Sequence, residues 1–484
     1  MIHDKKPNIL LVYPDQMRYD VMSCSGNPVI RTPHLDRVAQ EGSLFTNAYT
    51  SFPFCCPFRA SILTGKYAHK HGMKANHYEI PLGQEFLAKN LKQHGYQTGF
   101  AGKWHLDDGR NGGFVEPGDR RLGFDTFIKS MKCHSYIDGI FYRDNGVPLR
   151  TGRYEPDHQT DHIIEFMDKA LDDPEGRPFF AYVCYGIPHF PNVGSDYYLK
   201  LYKPEEIPMP ADVPEILQES TREFLAKYYG MVTCFDFQMG RLLSWLDHAG
   251  ITDNTIVMVV SDHGDTVGQH GSPSIWKKSY HRSSSHVPFL IRWPEHVPAG
   301  RINDHLVDPS VDIYPTLCDV AGIDIPDEVQ GVSLLTIMEN PDAPPVHSQL
   351  YYQITKEEHG PEAFPHPERG LRTKEWLYVE REGKPVALFD EVNDYNECDN
   401  LIDDESYCNI VKEFSKKLSD EMLRLEDNWS EEMIWPPESW TFPFEERFTL
   451  ESIKERCILE VTRDAARGVV QDNSSGSVRG DMND

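Results

Sequence analysis

With 484 residues the chain has room for about three average domains or for one large α/β enzyme, and in either case for a sizeable core. Lys and Arg number 48 against 76 Asp and Glu, a net charge of −28, which argues against general binding to nucleic acid or to an anionic membrane and still allows a local basic pocket. The ten cysteines have no disulfide-scaffold or zinc-ribbon spacing, and only Cys55 and Cys56 are adjacent, so reduced thiols are expected.

Met1 to Pro7 leads straight into a strand pattern without an apolar signal region, which reads as a cytoplasmic start unless a leader has been trimmed; no run reaches the length of a membrane span. Asn8 to Tyr13 is a continuous apolar run, as expected of a parallel strand covered on both faces. Pro14, Asp15 and Gln16 follow it. Because α/β folds place ligands at the carboxyl ends of parallel strands, Asp15 is a candidate metal ligand, although taken alone it reads first as a helix cap. Thr32 to Ala48 reads as a helix and a strand. Next comes Cys55-Cys56-Pro57-Phe58-Arg59, ahead of a short apolar run that opens a helix. A nucleophile at a helix N-terminus meets an anion already partly stabilised; the plain alternative is a buried cysteine pair before a core helix.

Phe86 to Lys92 is amphipathic and leads into Gly95 to Leu106, which carries Lys103-Trp104-His105. An ammonium can neutralise an anion's oxygen and an imidazole can hold or remove a proton, but a solvated lysine and a core histidine suit the same block. From Asp107 to Asp161 the chain is rich in Gly, Arg, Asp and Tyr without periodicity, the character of binding loops, and substrate selection is placed there. His162 to Ala170 has a helical pattern. Phe179 to Tyr185 reads as a core strand, followed by Pro188-His189-Phe190-Pro191, where the prolines hold His189 in a defined direction. Arg222 to Ala249 reads as one long helix stopped by Gly250. Thr255 to Val260 is a further buried strand, and Ser261-Asp262-His263-Gly264-Asp265 repeats at its end the pattern seen at Asp15. Ser274 to Tyr280, with Lys277 and Lys278, leads to a Val287-Pro288 strand, and Asp312 to Leu317 with Ala321-Gly322 form another helix. From about Ser348 short strands take over, near Leu350, Arg369, Glu375 and Ala387, and a turn at Asn396 to Leu401 precedes a helix over Val411 to Leu425. Trp435 to Phe444 reads as a wrap on the body, and Gln471 to Asp484 as disordered.

Cys55-x-Pro57-x-Arg59, with Leu63-Thr64-Gly65 at the same spacing, resembles the signature of the type I sulfatases, and the Asp15, Lys103, His189 and Asp262 blocks resemble that family in the same order. The resemblance covers roughly residues 7 to 425. It implies the alkaline-phosphatase-like α/β fold, a large mostly parallel sheet sandwiched by helices with a small C-terminal antiparallel sheet. The implied division is 1–345 for the catalytic domain, 346–427 for the C-terminal subdomain and 428–484 for an extension. In that family a formylglycine-generating enzyme oxidises the cysteine to formylglycine, whose hydrated aldehyde is the nucleophile. The spacing to Pro57 and Arg59 picks out Cys55, and Phe58 stands where the family usually has serine.

The resemblance further implies one divalent cation, Ca²⁺ first with Mg²⁺ or Mn²⁺ as alternatives, on Asp15, Gln16, Asp262, His263 and the modified Cys55. Arg59 and the cation would lower the nucleophile's pKa, Lys103 and Lys277 would balance charge on the sulfuryl oxygens, His189 or Lys277 would help the alcohol leave, and His105 would take the proton of the second hydroxyl. Lys277 is favoured over Lys278 by its spacing from Pro288, while Arg282, Ser283 and His286 replace the family's acidic pair and arginine. The implied activity is hydrolysis of a small-molecule or saccharide sulfate monoester to alcohol and inorganic sulfate. Two alternatives stay open: a phosphonate monoester or phosphodiester hydrolase, where Asp-Gln and Asp-His pairs both occur, and an inactive anion-binding homologue with Cys55 unmodified.

Overall fold

The computed structural model describes residues 6–76, 78–107, 114–130, 136–137, 139–143, 146–150, 152–271, 277–355 and 366–429. The expected wrap at 435–444 and the expected disorder at 471–484 lie outside the described residues, as do 274–276 of the lysine loop.

In chain order the first ten strands are β1 (Asn8–Asp15), β2 (Ser43–Ala48), β3 (Gln97–Gly102), β4 (Thr126–Ser130), β5 (Ile140–Tyr142), β6 (Pro148–Arg150), β7 (Phe179–Pro188), β8 (Thr255–Val260), β9 (Phe289–Arg292) and β10 (Arg301–Val307). They form one sheet in the order β10-β2-β9-β8-β1-β7-β3-β4-β5-β6. The strands from β8 through β1, β7 and β3 to β4 run parallel, whereas β9 and the β5/β6 hairpin are antiparallel insertions. The major helices are α1 (Pro33–Gln40), α2 (Cys55–Thr64), α3 (Leu87–Gln93), α4 (Glu155–Leu171), α5 (Glu215–Ala249), α6 (Pro309–Ala321) and α7 (Cys408–Leu425).

The alternation of a strand explains why β1 is apolar throughout. Ile9, Leu11 and Tyr13 join the core formed with Phe58, Ile62, Ile313 and Leu317 of α2 and α6, while Leu10 and Val12 join the core formed with Phe166, Met167, Phe235 and Met239 of α4 and α5. Every residue of β1 is therefore buried. Parallel strands end at a common edge, so Asp15, Lys103, His189 and Asp262 all emerge there after β1, β3, β7 and β8. Gly102 makes one of these approaches possible: with φ at +117°, a Cβ would stand 1.9 Å from Cys184 O, and Lys103 N donates to that carbonyl at 3.0 Å.

Two expectations change in detail. The stretch from Asp107 to Asp161, read as irregular, contains β4, β5, β6 and the start of α4, strands too short to print a period. The helix expected from Arg222 starts at Glu215, because its first turns are polar and leave Ile216 exposed. The closing Gly250 adopts the left-handed conformation expected of a C-cap, at φ +66°.

The C-terminal strands β11 (Leu350–Ile354), β12 (Glu368–Arg372), β13 (Trp376–Arg381) and β14 (Lys384–Asp390) form a four-stranded antiparallel sheet in sequence order. Phe414, Leu418 and Met422 of α7 pack with Tyr351, Leu371, Tyr378 and Leu388 of the sheet. Among the described residues no helix is long and apolar enough to cross a membrane.

Candidate active site

Cys55 is the first residue of α2, with Phe54 in extended backbone before it and every residue of the helix buried. Its neighbours are fixed by the adjacent strand ends. Gln16 turns the chain at the end of β1 with φ at +64°, and its N–H donates to Asp262 Oδ1 at 2.9 Å. Ser261 ties β1 to β8, donating from Oγ to Pro14 O and accepting from Met17 N, both at 2.8 Å.

Asp15, Cys55, Asp262 and His263 bring ligand atoms within 4.8 Å of one another, and all four side chains are buried. Asp15 Oδ2 receives Arg59 Nη2 at 2.9 Å and Lys103 Nζ at 2.5 Å. Burial alone would raise the Asp15 carboxyl, but Lys103 and Arg59 outweigh it and hold the group well below the usual carboxylate range. The Arg59 guanidinium also lies 4.4 Å from the Tyr13 ring centre. His263 Nδ1 donates to Gly264 O at 2.7 Å, which leaves Nε2 as the lone-pair nitrogen, 3.3 Å from Cys55 Sγ and 3.4 Å from Asp262 Oδ2. Burial keeps this imidazole below its ordinary pKa, hence neutral.

Lys277 Nζ lies 3.3 Å from Cys55 Sγ and donates to His189 Nε2 at 2.9 Å, while His189 Nδ1 is committed to Phe190 O. Burial, then Lys277 and Lys103, push the His189 imidazole well below its ordinary range. Lys278 has a different place, its ammonium 3.9 Å from the Phe54 ring centre. The main chain of His105 is tied to the start of α2: its φ is +60° and its carbonyl accepts from Cys56 Sγ at 2.8 Å. Phe58 points into the core, stacked on Tyr13 at 5.6 Å, and the Cys55 thiol is pushed up to about 11, first by burial and then by Asp15.

The donor set fits a cation. Gln16 Oε1 and Asp262 Oδ2 are buried acceptors without a hydrogen-bond partner, a costly arrangement that an ion relieves. The Gln16 amide is oriented by a residue the motif does not single out: its Nε2 donates to the buried Asp265 carboxylate. The sequence signal for Asp265 is only its place in Ser261–Asp265. A second group, His270, His281 and Glu397, also lies within 4.8 Å, but its imidazoles are stacked at 3.5 Å and 12°, so their in-plane lone pairs run side by side. Glu397 there already accepts from His281, Arg282 N and Arg372.

A largely parallel sheet sandwiched by helices, with acids, an imidazole and a helix-start cysteine gathered at its strand ends, defines an enzyme of the alkaline phosphatase type. Residues 7–323 match the family described as Sulfatase, and residues 268–424 match one described as N-sulphoglucosamine sulphohydrolase, C-terminal. The chain belongs to the sulfatase family and is a sulfuric ester hydrolase. It is 33% identical over 430 residues to the ulvan-active sulfatase of Formosa agariphila, covering 88% of this chain and 82% of that protein. A solved structure described as a complex with its substrate D-glucosamine-2-N,6-O-disulfate superimposes with a TM-score of 0.78 at 25% identity, over 88% of this chain and 100% of the other. The phosphonate monoester hydrolase of Agrobacterium radiobacter shares the fold, with a TM-score of 0.72 at 23% identity over 87% of this chain and 96% of that one.

Proposed function

We propose that the protein hydrolyses a saccharide sulfate monoester through a formylglycine made from Cys55 by a formylglycine-generating enzyme. The supporting observation is the position of Cys55 at the start of α2, with the ligand atoms of Asp15, Asp262 and His263 within 4.8 Å and Lys277 Nζ 3.3 Å from its sulfur. The sulfur stands where the oxygens of the modified residue belong. Asp15, Gln16, Asp262 and His263 would hold a divalent cation together with residue 55, and their mainly hard oxygen donors suit Ca²⁺, with Mg²⁺ or Mn²⁺ as alternatives. When bound, that cation supplies Lewis-acid stabilisation of sulfuryl oxygen charge and acidifies the nucleophilic hydroxyl.

The chain's own groups do the rest. Arg59 and Lys103 keep Asp15 ionised and fixed, and Lys103 and Lys277 offer positive charge to the sulfuryl oxygens. His189, held neutral, takes a hydrogen bond from Lys277 and so aims its ammonium at residue 55. Lys277 can release a proton to the departing alcohol oxygen, with His189 Nε2 beside it to relay the next one. His105 is assigned the proton on the second hydroxyl of residue 55.

A second reading keeps the site and changes the ester to a phosphonate monoester or phosphodiester, favoured by Gln16 and His263 in the cation pairs. Relative kcat/KM for an aryl sulfate and an aryl phosphonate monoester separates them. The sulfatase reading expects the sulfate to be preferred, and a reversed preference overturns it. Cys55→Ser loses hydrolysis by roughly three orders of magnitude or more, the scale of removing a nucleophile.

A further inference from the structure

His189 follows the last residue of β7, and the turn that bears it is gripped by a side chain 53 positions earlier in the chain. The ladder between β3 and β7 ends at Gly102 and Cys184. Two residues beyond Cys184, Gly186 O accepts from His189 N at 3.2 Å, which closes the turn, and from the Tyr136 hydroxyl at 2.8 Å. The same hydroxyl lies 2.7 Å from His189 O. Its one proton is therefore shared between the carbonyls at the two ends of the turn, a three-centre bond that holds both. Gly186 makes room for this: a Cβ there would stand 2.6 Å from Tyr136 Cε1. Tyr136 is itself fixed, fully buried, with its carbonyl accepting from Glu155 N at 2.7 Å and Ile137 bridged to Tyr154. We propose that Tyr136 is a positioning residue for departure of the alcohol: its hydroxyl sets the direction of the His189 imidazole and, through it, of the Lys277 ammonium. The proposal rests on the ester-hydrolysis reading above and deepens it.

Two features carry this beyond packing. The first is continuity. His189 Nδ1 is committed to the carbonyl of the next residue, Phe190, so the ring moves with its own backbone. Its Nε2 accepts from Lys277 Nζ at 2.9 Å, and that ammonium lies 3.3 Å from Cys55 Sγ. A shift of the turn is thus passed to the proton donor beside residue 55, where a misplacement of about 1 Å costs on the order of 100-fold in rate. The second is the residue type. The ring belongs to the core that includes Ile163 and Ile187, a place a phenylalanine fills equally well, and what the hydroxyl adds is the hold on the turn. The segment between Asp107 and Asp161, which the sequence marks for substrate selection, thereby gains a part in the chemistry itself.

The test compares wild type with Tyr136→Phe, which keeps the ring. Substrates are 4-nitrophenyl sulfate, whose stabilised phenolate leaves without a proton, and phenyl sulfate, whose more basic oxygen draws on one. The proposal expects kcat for phenyl sulfate to fall about tenfold or more and kcat for 4-nitrophenyl sulfate to stay within about threefold. A merely structural role lowers the amount of active enzyme and so reduces both equally. In a His189→Ala background the further change Tyr136→Phe is expected to cost less than about twofold on phenyl sulfate, because the group it positions is gone. An equal loss on both esters, no loss on either, or full additivity with His189→Ala overturns the proposal. Should wild type hydrolyse no sulfate ester, the functional reading fails, and the positioning is then read without catalysis by nitrogen-15 NMR of the histidine side chains. The His189 signal, identified by its loss in His189→Ala, is expected to show an accepting Nε2 in wild type and to shift in Tyr136→Phe as the hydrogen bond from Lys277 loosens. An unchanged Nε2 resonance overturns the proposal.

Discussion

In the proposed cation site, Asp265 is a positioning residue that holds the Gln16 amide. Its carboxylate accepts from Gln16 Nε2 and from Val267 N, so it fixes which end of the amide is left as an acceptor. Asp265→Ala frees the amide to rotate, and the expected result is a loss of about 10–100-fold in cation affinity, the usual cost of removing a ligand's supporting partner. Calcium titration by calorimetry checks it; unchanged affinity contradicts the assignment. At this scale the residue types at Asp15, Cys55, Arg59, Lys103, Asp262 and His263 were readable because each stands in a short local motif. Asp265 was not, because its partner is 249 positions away in the chain and a lone acid carries no sign of what it will meet. Lys277 and Lys278 are adjacent in sequence; spacing from Pro288 favours Lys277, and the fold puts its ammonium beside Cys55 and that of Lys278 over Phe54.

At the scale of elements, the start of α4 carries a buried acid whose titration gives a pH signature. Glu155 accepts from Ser130 Oγ at 2.9 Å and from Gln159 Nε2 at 2.7 Å, while its other oxygen is buried without a partner. Burial pushes this carboxyl up to about 7 from an ordinary 4.5, only partly offset by Ser130 and Lys103. A folded pKa above the unfolded one means that the native state holds the proton more tightly. Its contribution is complete below about pH 4.5 and is lost as pH rises through about 7. Glu155→Gln keeps the neutral form's shape, so thermal unfolding at about pH 8.5 should show it more stable than wild type, by at most about 3 kcal/mol, with the advantage gone near pH 4.5. An equal shift at both pH values contradicts this origin. The buried strands β1, β7 and β8 were legible from their continuous apolar runs, as was the Gly250 stop. The three strands from Thr126 to Arg150 were not, since strands of three to five residues print no period.

For the whole molecule, the C-terminal sheet is fastened to the catalytic body by buried charges. Arg372 in β12 pairs with Glu391 and Glu397, Arg282 pairs with Glu391, and His281 with Glu397, all on or around the loop that follows Lys277. Arg372→Met removes one partner and leaves two buried acids undercompensated, for an expected loss of about 3–5 kcal/mol in urea unfolding. A loss below about 1 kcal/mol would show that the network holds little. Arg282, which departs from the family's pattern in sequence, finds its reason here, in acids supplied by the distant turn after β14. The central claim, however, concerns one side chain, and mass spectrometry of the peptide carrying Cys55 tests it most directly, on protein produced alongside a formylglycine-generating enzyme. The account predicts an aldehyde or its hydrate at residue 55 in the fraction that hydrolyses sulfate esters. Full hydrolysis by protein whose Cys55 is entirely thiol contradicts it.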